Sequence, residues 1–78
     1  MSYVKPIGSF GKWLKDKMEE HDLTEQELAN IIGINRATVN YHVRGRIIPH
    51  LRTVQAYSRY FCVPWQDIYD MVLRDRTA

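Results

Sequence analysis

Arg36, Ala37, Thr38, Asn40, Tyr41 and Arg44 fall within nine residues and carry several kinds of group able to read another surface. Arg36 offers a planar fork of donors that fits two neighbouring acceptors, such as O6 and N7 of guanine. Ala37 is small enough for close approach and can pack on a methyl group such as thymine's. Asn40 presents donor and acceptor on one amide, a match for adenine or for phosphate. The hydroxyls of Thr38 and Tyr41 can donate to phosphate, and Arg44 and Arg46 are cations for an anionic backbone. Val39 and Val43 form a thin apolar stripe on the opposite side, four residues apart. The stretch therefore reads as a short helix anchored along one line, its outer face left for a ligand. Ordinary readings stand beside these. Arg36 suits a first-turn surface arginine, Tyr41 a ring covering the turn, Thr38 a hydroxyl bonded back into its own helix, and Arg44 and Arg46 solvated charges.

Such a helix needs a scaffold, and the flanking residues describe one. "LTEQELANIIG" has Thr24 as N-cap and Glu27 three residues on, which completes a capping box, with Leu23 and Leu28 placed to staple it. Leu28, Ala29, Ile31 and Ile32 supply its buried face, and Gly33 ends it in the left-handed conformation. Asn35 is the next N-cap, and the following helix spans about Arg36 to Arg44 before Gly45. Upstream, Ser9 caps a helix from Phe10 to about Glu20, with Phe10, Leu14 and Met18 four apart. Downstream, Pro49 closes the loop "RIIPH". A fourth helix runs from His50 or Leu51 to Phe61, its inner side Val54, Tyr57, Ser58 and Phe61. Pro64 opens a fifth, on which Trp65, Ile68, Tyr69, Val72 and Leu73 keep helical spacing. Residues 1–8 read as an irregular lead-in, 9–73 as the domain with its two-helix motif at about 24–45, and 74–78 as a frayed tail. The expected fold class is all-α, a compact globule of five short helices.

At 78 residues there is room for one domain with a modest core. No signal peptide or membrane-length apolar run is visible, so the default address is cytoplasmic. One cysteine, Cys62, excludes an internal disulfide. With His21, His42 and His50 it lacks metal-site spacing, and no nucleophile–base pair appears; no metal, cofactor, small-molecule ligand or enzymatic activity is expected. Net charge is +2, but its distribution is uneven. Six acids lie between Asp16 and Glu27, none follows until Asp67, and Arg36, Arg44, Arg46, Arg52 and Arg59 occupy the interval. That suits a polyanionic partner, unless the acids balance the arginines in space.

Two helices joined by a short glycine-containing turn are the signature of helix-turn-helix, whose second helix fits the B-DNA major groove. From Phe10 to Ile68 the chain resembles the Cro and cI-repressor type of helix-turn-helix domain, the lambda-repressor-like fold. The resemblance rests on "LTEQELA", Gly33-Ile34, "ATV", "RGR" and Pro49 before Leu51, in that order. It implies double-stranded DNA as partner, with base contacts from Arg36, Ala37 and Tyr41. Phosphate or flanking contacts would come from Gln26, Asn35, Thr38, Asn40, Arg44 and Arg46. It further implies a Cro-like repressor, dimeric at least on DNA, acting on a pseudo-palindromic operator. The expected dimer surface is Val63, Trp65 and Tyr69, unless Trp65 simply closes the core. The alternative is a protein-interaction module in which "RIIPHL" and the fifth helix hold a partner.

Four departures from the family pattern stand out, over five positions. Met18 and Val43 stand where many relatives carry an arginine–glutamate pair; both charges are absent together, and the two apolar side chains are expected to pack. Glu25 replaces a glutamine near phosphate, which would weaken the contact of that helix with DNA or pass it to Gln26. His42 fills a usually apolar position and is expected to be a packed, hydrogen-bonded ring. Cys62 stands where a helix-ending glycine is usual, so either the backbone there is strained or the turn differs.

Overall fold

The computed structural model describes residues 9–77. It contains five helices in chain order: α1 Ser9–Glu20, α2 Glu25–Ile32, α3 Arg36–Arg44, α4 Leu51–Phe61 and α5 Trp65–Thr77. No strand occurs among the described residues. The expected lead-in over residues 1–8 lies outside them. α3 rests on α1 and α2, α4 packs on α2 and α5, and α5 closes back on α1.

Each helix contributes a narrow apolar line to one core. Phe10, Leu14 and Met18 come from α1, Leu28 and Ala29 from α2, Val39 from α3, Val54, Tyr57 and Phe61 from α4, and Ile68 and Val72 from α5. Full burial of a Leu, Ile, Val or Phe side chain stabilises by about 1.5–3 kcal/mol, so a core of this size leaves each member significant. The aromatic rings interlock. Phe10 lies 5.9 Å from Tyr57 and 6.0 Å from Trp13, and Trp13 meets Phe61 edge-on at 5.7 Å. Such contacts add directional preference to the burial.

Two helix ends differ from the sequence expectation. α1 has Ser9 as its first helical residue, and the cap comes from the other end of the chain. The Asp75 carboxylate accepts the backbone N–H of Ser9 at 2.7 Å and of Phe10 at 3.0 Å. A carboxylate there satisfies two otherwise orphaned donors and complements the positive end of the helix dipole. The same contact explains why α5 continues to Thr77, past the frayed tail expected from Arg74. Ile31 is a further difference: it is 45% exposed instead of buried. Leu28, Ala29 and Ile32 share one side of α2, and Ile31 points about 100° round the helix from their midline.

At the close of α4, Cys62 adopts φ 58°, ψ 43°, the left-handed conformation that usually favours glycine, and its N–H bonds to the Ser58 carbonyl. The turn keeps the family geometry and the backbone carries the strain.

Candidate nucleic-acid interface

α2 is built as a support. Thr24 Oγ1 accepts the Glu27 N–H at 3.1 Å, and Glu27 Oε1 accepts the Thr24 N–H at 3.0 Å, the expected capping box. Leu28 and Ala29 are completely buried. Gly33 ends the helix at φ 86°, with its N–H on the Ala29 carbonyl at 2.8 Å. A Cβ at Gly33 would meet nothing within 4 Å, so the residue is required by its dihedral angles and not by space.

Two residues later Asn35 starts α3. Its Oδ1 accepts from the backbone N–H of Thr38 at 2.8 Å and from the Thr38 hydroxyl at 2.8 Å. At the far end Gly45 is left-handed, and the Arg46 N–H bonds the Tyr41 carbonyl at 2.9 Å. The inner side of α3 is fixed by Val39, fully buried, and by His42, 2% exposed. His42 Nδ1 and the Tyr57 hydroxyl are 3.0 Å apart and share a hydrogen bond, as expected for a packed ring. Burial lowers the His42 pKa to about 4, the nearby charge of His50 adding to it, and burial raises that of Tyr57. Both groups are therefore neutral at ordinary pH and form a closed polar pair beneath the helix.

The outer side is free of such ties. Arg36, Ala37, Tyr41, Arg44 and Arg46 are all exposed, Tyr41 by 41%. Among the remaining candidates, Thr38 is half-buried, and its hydroxyl proton is committed to Asn35. Asn35 itself uses its oxygen as the cap. Asn40 is half-buried and turned inward, donating from Nδ2 to Glu25 Oε2 at 3.0 Å and Oε1 at 3.3 Å. Gln26 is exposed on α2 and donates to Asn30 Oδ1 at 3.0 Å. The exposed members therefore gather along α3 and the turn after it, with Gln26 apart on α2.

Packing adds one residue, Lys15, that the sequence reading did not bring to this face, and sets it near Glu25, which that reading placed close to phosphate. Lys15 of α1 and Glu25 of α2 line the same shallow depression as Asn40, Arg44 and Arg46. Lys15 is 29 residues from Arg44 in the chain, and no local signal announces the juxtaposition. Met18 and Val43 line that depression too, Met18 as part of the core and Val43 packed against it. Val63, Trp65 and Tyr69 are half-buried and packed against the core, Trp65 and Tyr69 edge-on at 6.2 Å. Ile47, Ile48 and Leu51, in the loop after α3 and at the start of α4, are 42–48% exposed.

Among the described residues, no group of three or more His, Cys, Asp or Glu side chains could hold a metal ion, and no helix is long and apolar enough to cross a membrane.

A first helix seated on the core through Leu28 and Ala29, a left-handed glycine turn and a second helix that is capped, anchored beneath and polar outside define a helix-turn-helix domain. The chain matches the helix-turn-helix family model HTH_3 over residues 14–68 and belongs to that Cro/cI-type family of DNA-binding domains. It is similar to the cryptic phage CTXphi transcriptional repressor RstR of Vibrio cholerae, at 33% identity over 55 residues. The match covers 70% of this chain and spans half the length of that relative.

Proposed function

We propose that this protein is a small transcriptional regulator that binds double-stranded DNA sequence-specifically, with α3 in the major groove. The observation that carries the reading is the two-sidedness of α3: Val39 and His42 are sealed beneath it while Arg36, Ala37 and Tyr41 stand in solvent. Arg36 then reads guanine, Ala37 lies close to a base methyl, and Tyr41 reaches a base edge or phosphate. Arg44 and Arg46 neutralise the backbone beside them, and Lys15 lines the same depression to extend that cationic rim. The repressor name of the Vibrio cholerae relative favours repression by occupying an operator.

One nine-residue helix reads too few base pairs to find a single site, so the protein acts as a homodimer on two half-sites about one helical turn apart. Val63, Trp65 and Tyr69 are the proposed contact, since each keeps part of its surface exposed along the α4–α5 turn and the first turns of α5.

The test is selection of bound duplexes from a random pool. It should return a near-palindrome, and log affinity should fall linearly with log salt, by about 0.9 for each phosphate neutralised. The exposure of Ile47, Ile48 and Leu51 favours a second reading, a module that grips a protein partner through "RIIPHL". That reading requires an interaction almost insensitive to salt and no enriched duplex.

A further inference from the structure

Arg36, Asn40 and Arg44 are spaced at i, i+4 and i+8, so they form one row along α3. The two ends of the row are exposed cations, whereas the middle amide is drawn down to α2. Both oxygens of Glu25 lie within 3.3 Å of Asn40 Nδ2. An asparagine reads adenine by giving a hydrogen bond and receiving one at the same time. With its amide nitrogen bonded to both oxygens of a carboxylate on α2, Asn40 is held away from that pairing. The partner is equally telling. Glu25 lies in the first turn of α2, where the helix dipole favours an anion, and α2 carries two acids in that turn while α3 carries none. Its charge lines the depression shared with Lys15, Arg44 and Arg46, the side chains that would meet the DNA backbone.

We infer that the Glu25–Asn40 pair limits duplex affinity and narrows base readout: Glu25 repels phosphate from the α2 end of the motif and withholds the Asn40 donor from the bases. Sequence is then read by Arg36, Ala37 and Tyr41 without it. The inference rests on α3 being the DNA-reading helix, and it makes Asn40 a positioning residue.

The experiment compares wild type, Glu25→Gln, Glu25→Ala and Asn40→Ala on the duplex selected from the random pool and on an unrelated duplex. Melting temperature is followed throughout. Glu25→Gln removes the charge but keeps an oxygen for Asn40. It should tighten binding to both duplexes by about three- to tenfold at low salt, a gain that shrinks as salt rises, with the ratio between duplexes unchanged. Glu25→Ala also frees Asn40 and should add a new preference at one base position per half-site, which Asn40→Ala in the same background removes. Asn40→Ala alone should leave the base preferences as they are.

Unchanged or weaker binding by a folded Glu25→Gln overturns the inference while leaving the proposed function intact. So does a lost base preference in Asn40→Ala, a measurement that stands even where Glu25 variants fail to fold. Absence of any duplex binding by wild type at low salt removes the proposed function itself, and the inference with it.

Discussion

α2 and α3 are neighbours of nearly equal length, eight and nine residues, each capped by a side chain at its start and a left-handed glycine at its end. They differ in what surrounds those shared features. α2 has two acids in its first turn and a fully buried Leu28–Ala29 pair; α3 has no acid there and puts its arginines outward. The same local recipe thus makes a support in one case and an outward polar face, the proposed reading surface, in the other. What separates them is the chemistry left over once the helix is stabilised.

The sharpest way to break this comparison is to truncate each helix on its working side. Leu28→Ala should cost about 2–5 kcal/mol, because it empties a site with no exposure, and urea denaturation will show it. Tyr41→Ala should change stability by less than about 0.5 kcal/mol while weakening the selected duplex. Equal losses of stability would mean that α3 is a support as well.

Next in size is the polar pair beneath α3. Folded His42 titrates at about 4, against an ordinary value of 6.5 regained on unfolding. Between those values the unfolded chain takes up a proton that the folded one refuses. The stabilisation is complete above pH 6.5 and is lost as pH falls toward 4, by roughly 3 kcal/mol. His42→Leu should flatten this slope but strand the Tyr57 hydroxyl, at about 1–3 kcal/mol; adding Tyr57→Phe should recover most of that. Denaturation midpoints at pH 7 and pH 5 test both statements.

On the reading side, Arg36→Ala should cost about 1–3 kcal/mol on the selected duplex and relax one base position per half-site. Arg46→Ala should weaken all duplexes alike and lower the salt slope by about 0.9. Binding measured on a panel of single-base variants separates the two. The smallest expected effect lies outside the motif. Cys62→Gly should raise stability by about 0.5–1 kcal/mol, since it relieves a left-handed residue at some cost in chain entropy. A change in DNA affinity there would tie the α4–α5 turn to the interface.

Much of this molecule was legible in the sequence because its signals are local. Thr24 with Glu27, Asn35 before Arg36, and Gly33 and Gly45 each state a helix end within a few residues, and α2 and α3 fall where those residues put them. The sidedness of α3 was legible for the same reason, through Val39 and its neighbours. Ile31 was misread because apolar character alone does not say which side of α2 a residue occupies. The contacts that set the site's polarity were hidden by distance. Glu25 meets Asn40 across 15 residues, and Lys15 joins Arg44 only through the packing of α1 on α3. Pattern within a window has no access to either.

The Asp75 clasp on Ser9 and Phe10 spans 66 and 65 residues and bears on how the molecule is made. A chain emerging from the ribosome exposes α1 first, yet the carboxylate that finishes its leading turn arrives with the last segment of α5. During synthesis α2 and α3 can gather early, but the leading turn of α1 has to wait for α5 before its two N–H groups find this carboxylate. The leading turn of α1 is, in this sense, closed only when the fold's final helix docks.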